Sequence, residues 1–180
     1  MSMDVTVRVV LPGDDVTPCA EMLSRVMMQT EAAVLMDGLQ TRDPGAVPIA
    51  GLCLNPDHEL LVAEYSLTII GMARVRLHPG RATNAADWYC EPGVVAFDLC
   101  MVEPGLRGMG VGQILLDAVL ERAATHGADE LACDLPASAE EVIRRLRARG
   151  FRPVERISRD SDSRVVLSRT LDERARERAA

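Results

Sequence analysis

Residues 106–113 read LRGMGVGQ, and this segment decides how the chain is organised. Three glycines, Gly108, Gly110 and Gly112, fall within five residues, directly after an arginine. The apolar run VVAFDLCMV (94–102) before them predicts a strand, and the apolar spacing after them predicts a helix. Glycines let a backbone approach an anion closely, and the first N–H groups of a helix lack partners within it. The segment therefore predicts an anion site, although a tight turn alone also accounts for the glycines.

Two common phosphate-binding motifs do not fit this segment. A P-loop ends in Gly-Lys followed by Ser or Thr, but the chain contains no lysine. The dinucleotide fingerprint needs a third glycine where the chain has Gln113. The usual nucleotide motifs are therefore excluded.

The composition predicts a single globular domain, residues 1–180, with a charged C-terminal tail at 172–180. Of the 180 residues, 48% are hydrophobic and 26% are charged. No apolar stretch approaches the roughly 20 residues that span a bilayer, and the start MSMDVTVRVV lacks the features of a signal peptide. We expect a cytoplasmic protein without a membrane partner.

Metal and nucleic-acid binding are not expected. The five cysteines and three histidines are scattered and form no C-x-x-C pair. A net charge of −7 argues against a nucleic-acid partner. From Arg144 onward, however, twelve arginines stand against six acidic residues, so the negative charge is concentrated before that point. This asymmetry favours binding of an anion by the part from Arg144 onward and binding of a cation by the residues before it.

The remaining periodicity predicts an α/β fold in the order β-αα-β-β-β-α-β-α-β-β. A Pro/Gly-rich segment follows the first helices, and a long polar loop with Trp88 and Tyr89 precedes the central strand. Asp14 or Asp15 is expected to cap the first helix, Gly127 to end the helix after the glycines, and Ser138 to cap the last helix. The predicted strands cover residues 5–10, 59–65, 69–77, 94–102, 130–135, 151–158 and 164–171.

The segment MVEPGLRGMGVGQILLDAV (101–119) resembles the acetyl-CoA signature of the GCN5-related N-acetyltransferase (GNAT) family, Q/R-x-x-G-x-G/A. Arg107, Gly110 and Gly112 stand in its fixed positions. The element order, and the ending RLRARGF of the last helix, are similar to that family over about residues 5–171. The resemblance implies a mixed, mostly antiparallel sheet of about seven strands with helices on both faces.

The resemblance also implies acetyl-CoA, or another acyl-CoA, as co-substrate. Its pyrophosphate is expected on the backbone of the glycine turn, and its pantetheine arm along strand 94–102. The Cys100 N–H is expected to polarise the thioester carbonyl, while the Cys100 side chain acts as a small hydrophobe. Arg107 either adds positive charge or braces the turn. The expected cofactor-binding residues are Cys100, Met101, Val102, Arg107, Gly108, Met109, Gly110, Val111 and Gly112.

Direct acyl transfer needs a base for the amine and benefits from an acid for the leaving thiolate. Asp98 is the first candidate base, because it shares strand parity with Cys100 in an apolar run that raises a carboxyl pKa. In the alternative interpretation Asp98 is not a base: its carboxylate only accepts hydrogen bonds, or it binds the positive charge of the amine. Glu64, at the end of a neighbouring strand, is the second candidate. The family commonly has a tyrosine as acid at the position of Leu146, which donates no proton, so Tyr89 or solvent is expected to replace it.

The expected function is acyl transfer from acyl-CoA to a primary amine of a small molecule or a peptide. Nine acidic residues against four arginines between Glu31 and Asp98 favour a cationic acceptor. A peptide N terminus, a polyamine-like metabolite and an amino sugar all fit. The alternative, prompted by Leu146, is a catalytically silent acyl-CoA-binding module with a sensing or partner-binding role.

A homodimer is expected from the resemblance alone. At most two of four arginines on the last helix are expected at the CoA 3′-phosphate: Arg144, Arg145, Arg147 and Arg149.

Overall fold

The computed structural model describes residues 4–29, 57–77, 92–159 and 162–171. The strands are β1 (Thr6–Val9), β2 (His58–Tyr65), β3 (Thr68–Arg76), β4 (Val94–Val102), β5 (Glu130–Pro136), β6 (Arg152–Arg159) and β7 (Asp162–Thr170). The helices in these ranges are α1 (Thr17–Gln29), α2 (Val111–Thr125) and α3 (Glu140–Ala148), with a 3₁₀ turn (Pro104–Leu106) between β4 and α2.

The strands form one sheet in the order β1-β2-β3-β4-β5-β7-β6. All neighbouring strands pair antiparallel except β4 and β5, which pair parallel. This confirms the predicted mixed, mostly antiparallel sheet of seven strands. The second helix predicted after α1 and the polar loop with Trp88 and Tyr89 lie outside the described residues, as does the tail 172–180. Within the described ranges, no helix combines the length and apolarity that a membrane crossing requires.

Two apolar clusters hold the helices on opposite faces of the sheet. On one face, Met22 of α1 is buried in a cluster with Met72 of β3. On the other, Leu115 of α2 is fully buried with residues of β2 to β5 and of α3. The rings of Phe97 and Phe151 meet edge to face there, with centroids 6.0 Å apart. The predicted placement of helices on both faces is therefore confirmed.

Gly71 of β3 allows α2 to approach the sheet closely. A Cβ atom at this position would lie 2.8 Å from Leu115 Cδ1 and 3.1 Å from the carbonyl oxygen of Met101. It would also lie 3.2 Å from Val111 Cγ1, at the first residue of α2. The absence of a side chain at Gly71 thus fixes the start of α2 beside the end of β4.

Strands β4 and β5 pair only where they begin. Their register joins Val94–Ala96 to Glu130–Ala132 and goes no further. Beyond this point β4 continues to Val102 along β3, and β5 continues to Pro136 along β7. A gap therefore opens between the second halves of the two strands, on the side where α2 begins.

One helix cap differs from the predicted one, and the glycine expected to end α2 is in place. Ser138 does not cap α3: the N-cap is Ala139, without a side-chain hydrogen bond. The Ala139 N–H donates to Pro136 O at 3.0 Å, and this turn delays the start of the helix by one residue. The C-cap of α2 is His126, and Gly127 follows it with a φ of 71°.

Candidate active site

A groove of about 1200 Å³ extends from the gap between β4 and β5 to the facing sides of α2 and α3. The end of β4, the glycine turn and the first turns of α2 form one wall, and α3 forms the other. The apolar part of the lining includes Phe97, Leu116, Leu135 and Leu146. The groove thus has an apolar interior and, at its outer end, the glycine turn on one side and charged side chains on the other.

The glycine turn is built on two left-handed residues. Gly108 has a φ of 82° and Gly110 a φ of 91°, a region that side chains disfavour. Gly110 is the N-cap of α2, a position where Ser, Thr, Asp or Asn usually accepts a hydrogen bond from the helix. With glycine there, the cap itself leaves the first turn of the helix unsatisfied.

Four backbone N–H groups of this turn have no acceptor in the described part of the chain, those of Gly108, Gly110, Val111 and Gly112. The next N–H, of Gln113, donates back to Gly110 O at 2.9 Å. The first turn of α2 also contains no acidic residue. Free N–H groups at the positive end of a helix macrodipole suit an anion such as a pyrophosphate.

Arg107 contacts the end of β4. Its Nε donates to the carbonyl oxygen of Val102 at 3.4 Å, across the turn, and the residue is exposed. Of the two roles expected for Arg107, this contact supports bracing the turn.

The backbone of β4 presents hydrogen-bonding groups to the gap. The Glu103 N–H donates to Ile70 O of the neighbouring segment at 2.9 Å. Because bonded residues alternate along an antiparallel ladder, Met101 bonds to β3 as well. The N–H and C=O groups of Cys100 and Val102 therefore point away from β3, toward the gap, where β5 no longer pairs with β4. This edge suits an extended chain with amide groups.

Asp98, the first candidate base, lies in a β-bulge. Between Phe97 and Leu99 the pairing with β3 advances by one residue only, which leaves Asp98 as the extra residue. The bulge changes the alternation, since Phe97 and Cys100 pack in the same apolar cluster despite their odd and even positions. Parity with Cys100 therefore does not indicate where Asp98 projects, and its role as base stays a prediction.

Glu64, the second candidate, lies at the end of β2 in an ion pair with β1. Its Oε1 accepts from Nε of Arg8 at 3.0 Å, and the Arg8 Nη1 binds Asp14 at 2.6 Å. Glu64 does not line the groove in the part of the chain that the structure describes. The structure therefore does not bring it together with Cys100. Tyr89 lies outside the described residues.

The Cys100 side chain lines the groove, and burial raises the pKa of its thiol to about 11. At neutral pH the thiol is therefore protonated and a poor nucleophile. This agrees with a role for Cys100 through its backbone. Among the described residues, no group of three or more His, Cys, Asp or Glu is arranged to hold a metal ion.

Leu146 is buried in the wall of the groove, 6% exposed. It occupies the position where the resemblance led us to expect a tyrosine, and it brings no proton donor there. Among the described residues of the lining, the one hydroxyl belongs to Ser138, at the opposite end of α3.

The arginines of α3 make three kinds of contact. Arg144 binds Glu141 through both Nε and Nη2, each at 2.8 Å. Arg145 binds the same carboxylate through Nε alone, at 2.7 Å. Arg149 donates through Nη2 to Asp117 of α2, so this pair joins the two helices. The bonds from Arg144 and Arg145 lower the pKa of Glu141 to about 2.

Sequence reasoning missed several residues of the groove. Gln113 and Leu116 of α2 lie on its wall, and Asp117 binds Arg149, which also lines it. Helical spacing from Gly112 places Gln113, Leu116 and Asp117 on neighbouring positions of one helix face. That spacing was the available signal in the sequence, but it identifies these residues as part of the groove only when the position of α3 is known.

The model of the acetyltransferase (GNAT) family matches residues 27–151. The chain belongs to the GNAT family. The match includes β4, the glycine turn and α3, the elements that line the groove, and it confirms the resemblance first seen at residues 101–119. A search of curated proteins gives no significant match to this GNAT chain.

Solved structures of GNAT proteins share the fold. The GNAT domain of PAT from S. lividans has a TM-score of 0.73 at 17% identity, over 93% of this chain and 90% of that one. The ribosomal-protein-S18-alanine N-acetyltransferase of Escherichia coli has a TM-score of 0.66 at 11% identity, over 93% and 94%. A GNAT family acetyltransferase from Elizabethkingia anophelis, solved with acetyl-CoA bound, has a TM-score of 0.62 at 16% identity, over 93% and 99%. At these identities the likeness shows the fold.

Proposed function

We propose that the chain is an acyl-CoA-dependent N-acyltransferase that takes acetyl-CoA as co-substrate and transfers the acetyl group to a primary amine. The observation that carries this proposal is the set of four free N–H groups at the start of α2, placed at the end of the gap between β4 and β5. Membership of the GNAT family supports the same donor. So does the acetyl-CoA in the relative from Elizabethkingia anophelis.

The residues of the groove fit the parts of this donor. The N–H groups of Gly108, Gly110 and Gly112 suit the pyrophosphate, since glycines leave no Cβ in its way. The backbone groups of Cys100 and Val102 suit the amides of the pantetheine arm. The apolar lining suits the methylene groups and excludes water from the thioester.

Acetyl-CoA supplies an activated acetyl group, whose C–S bond breaks as the C–N bond to the amine forms. The Cys100 N–H donates to the thioester carbonyl oxygen and stabilises the negative charge that develops on it. Asp98, two residues before Cys100 in β4, is the proposed acceptor of the proton that the amine loses. Leu146 donates no proton, so solvent protonates the released thiolate, whose conjugate thiol has an ordinary pKa of about 8.5.

A cationic amine is the proposed acceptor. The excess of acidic residues between Glu31 and Asp98 favours it by attraction and by selection against anions. The relative from Escherichia coli is described as acting on an alanine of ribosomal protein S18. A peptide N terminus therefore belongs in the acceptor panel, beside polyamines and amino sugars.

A second candidate function is favoured by Leu146 alone. A GNAT domain that binds acyl-CoA without transferring the acyl group would act as a sensing or partner-binding module. The buried leucine in the groove wall removes the side chain that protonates the leaving thiolate in related enzymes. The two functions share the same binding site and differ in turnover.

Titration calorimetry with acetyl-CoA, followed by a thiol-release assay over an amine panel, separates these functions. Saturable binding with release of CoA in the presence of an amine supports the enzyme. Binding without release from any amine supports the silent module. Absence of binding at millimolar acetyl-CoA contradicts both. Asp98→Asn is expected to lower turnover while acetyl-CoA binding persists; unchanged turnover would remove Asp98 as the base.

A further inference from the structure

Arg145 and Arg149 lie beside the groove, and most of their guanidinium N–H groups donate no hydrogen bond within the described residues. Arg145 of α3 and Arg149, the C-cap of that helix, both line the groove, and their spacing of four residues places them side by side. Arg145 uses Nε for Glu141, and Arg149 uses Nη2 for Asp117. In the described part of the chain, the other N–H groups of these two guanidinium groups have no acceptor. Each arginine is thus held by a carboxylate and still presents donors.

The other two arginines of α3 are engaged differently. Arg144 also lines the groove, but both its Nε and its Nη2 bind Glu141, which occupies one edge of the guanidinium group. Arg147 lines a separate hollow of about 490 Å³ between α3 and the β6–β7 pair and does not line the groove. Arg145 and Arg149 are therefore the pair, four residues apart, in which both side chains line the groove and each uses a single nitrogen to bind a carboxylate.

We propose that Arg145 and Arg149 bind the 3′-phosphate of CoA, so that the chain selects CoA thioesters over dephospho-CoA thioesters. This rests on the proposed function, which supplies CoA as the ligand. A terminal phosphate carries a charge of about −1.5 to −2 at neutral pH and three acceptor oxygens. Two adjacent guanidinium groups match it in charge and in geometry.

The position of this arginine pair along α2 separates it from the pyrophosphate site. Asp117, which holds Arg149, lies six residues after the first residue of α2, and six residues extend about 9 Å along a helix axis. An anion at Arg149 is therefore distinct from one on the N–H groups of Gly110 and Gly112. CoA carries, besides its pyrophosphate, a 3′-phosphate on its ribose. Dephospho-CoA lacks this 3′-phosphate.

Asp117 acts as a positioning residue in this proposal. Its carboxylate is 58% exposed and draws the guanidinium of Arg149, which is 30% exposed, toward α2 and across the groove. Without this partner, the long arginine side chain samples many rotamers in solvent, and ordering it lowers the affinity for phosphate. Asp117→Asn is therefore expected to reduce the selectivity for CoA without removing it.

Calorimetric titrations with CoA and with dephospho-CoA test the proposal on the full chain. The wild type is expected to bind CoA at least about tenfold more tightly, the effect of charge-assisted hydrogen bonds at a partly exposed site. Arg149→Gln and Arg145→Gln are each expected to reduce that ratio by weakening CoA binding, with dephospho-CoA binding unchanged. Arg147→Gln, on the same helix but outside the groove, is the matched control and is expected to keep the wild-type ratio.

Each outcome bears on a different claim. Equal affinity of the wild type for both ligands would overturn this proposal and leave acyl-CoA binding intact. Equal loss of the ratio in Arg147→Gln would overturn it too, because a general charge effect would then explain the preference. A rise of the ratio in Asp117→Asn would show that Asp117 competes with the phosphate and would reject its positioning role. Absence of binding for both ligands would instead contradict the proposed function.

Discussion

The helices α2 and α3 both begin at the groove without a side-chain cap, yet their first turns differ in charge. The N-cap of α2 is Gly110 and that of α3 is Ala139, and neither makes a side-chain hydrogen bond. The first turn of α3 contains Glu140 and Glu141, whereas that of α2 contains no acidic residue. Carboxylates in a first turn interact favourably with the helix macrodipole and repel other anions. The positive end of the α3 macrodipole is thus balanced by its own glutamates. The positive end of the α2 macrodipole has no such carboxylate and is open to an anionic ligand.

This difference teaches that a helix N-terminus becomes an anion site only when the chain itself does not fill it. Backbone geometry alone does not distinguish the two helices, since both have unsatisfied N–H groups at the start. The distinction comes from side chains: glycines and an apolar valine at α2, and two glutamates at α3. The same comparison indicates that the charge in the first turn of α2 is the property to change in a test of the anion site.

The largest effect is expected from giving α2 the charge that α3 has. In Gly112→Asp the new Cβ meets only Val102 Cγ2, at 3.7 Å, so the fold accommodates it. The added carboxylate is expected to weaken acetyl-CoA binding about a hundredfold relative to Gly112→Asn, through repulsion of a pyrophosphate a few ångströms away. Calorimetry at low salt measures the affinities.

The control Gly112→Asn has the same shape as the aspartate variant without its charge. The thermal stability of Gly112→Asp is expected to equal or exceed that of Gly112→Asn, because an acidic residue in a first turn stabilises the helix. Opposite effects on stability and binding would sharpen the comparison of the helices. Equal acetyl-CoA affinities for the two variants would break it, because the anion would then lie elsewhere.

The next effect concerns how α2 is positioned. In Gly71→Ala, a methyl group would lie 2.8 Å from Leu115 Cδ1 and 3.1 Å from the carbonyl oxygen of Met101. Relieving these contacts requires α2 to shift, so unfolding is expected to become easier by about 2 kcal/mol, with a weaker affinity for acetyl-CoA. Thermal or denaturant unfolding and calorimetry measure the two effects.

A second substitution tests the cause of that loss. Leu115→Val removes the Cδ1 atom that a methyl group at Gly71 would meet. The cost of Gly71→Ala is therefore expected to be smaller in the Leu115→Val background than in the wild type. Additive costs in the double variant would show that close packing of α2 on β3 is not what Gly71 provides.

Much of the fold follows from local sequence patterns. Strand β4 was predicted with its observed ends, because VVAFDLCMV is bounded by glycine and by a proline-glycine pair. The glycine turn was predicted for the same reason, since its left-handed residues are glycines that stand where the chain reverses. The cap of α3 was placed within one residue, at Ser138, and the observed cap is Ala139 because Pro136 closes a turn with it. These features depend on residues that are close in sequence.

The features that could not be predicted depend on distant residues. The gap between β4 and β5 exists because each strand continues along a different partner, and no pattern within VVAFDLCMV encodes that. The bulge at Asp98 likewise appears only in the pairing of β4 with β3, so period-two alternation predicted a parity that does not hold across it. The pair Asp117–Arg149 joins two helices and has no local signature.

A third substitution supplies the proton donor that α3 lacks. Leu146→Tyr places a phenol in the groove wall, and turnover is expected to rise about tenfold. This is less than the roughly hundredfold or more that a general acid contributes, because the site did not evolve around this hydroxyl. Leu146→Phe is the matched control, since it adds the same ring without the hydroxyl. Thiol release at saturating acetyl-CoA gives kcat for both variants. Equal turnover of the two would mean that solvent protonation is not limiting.

The smallest effect is expected from removing a charge from the start of α3. Glu141→Gln loses the ion pairs with Arg144 and Arg145 and a favourable interaction with the macrodipole, so the melting temperature is expected to fall slightly at pH 7. Glu140→Gln changes the same turn without those pairs, and the difference between the variants isolates them.

The pH dependence fixes the sign of this last effect. The arginines hold the pKa of Glu141 at about 2, below its ordinary value of 4.5. The stabilisation is therefore fully present above pH 4.5 and is lost as the pH falls through 2, where the wild-type carboxyl also becomes neutral. The melting temperatures of wild type and Glu141→Gln are expected to converge over that range, and also in high salt. A gap that persists at pH 2 would mean that Glu141 stabilises α3 by packing, and the charge contrast between α2 and α3 would then have no energetic counterpart in α3.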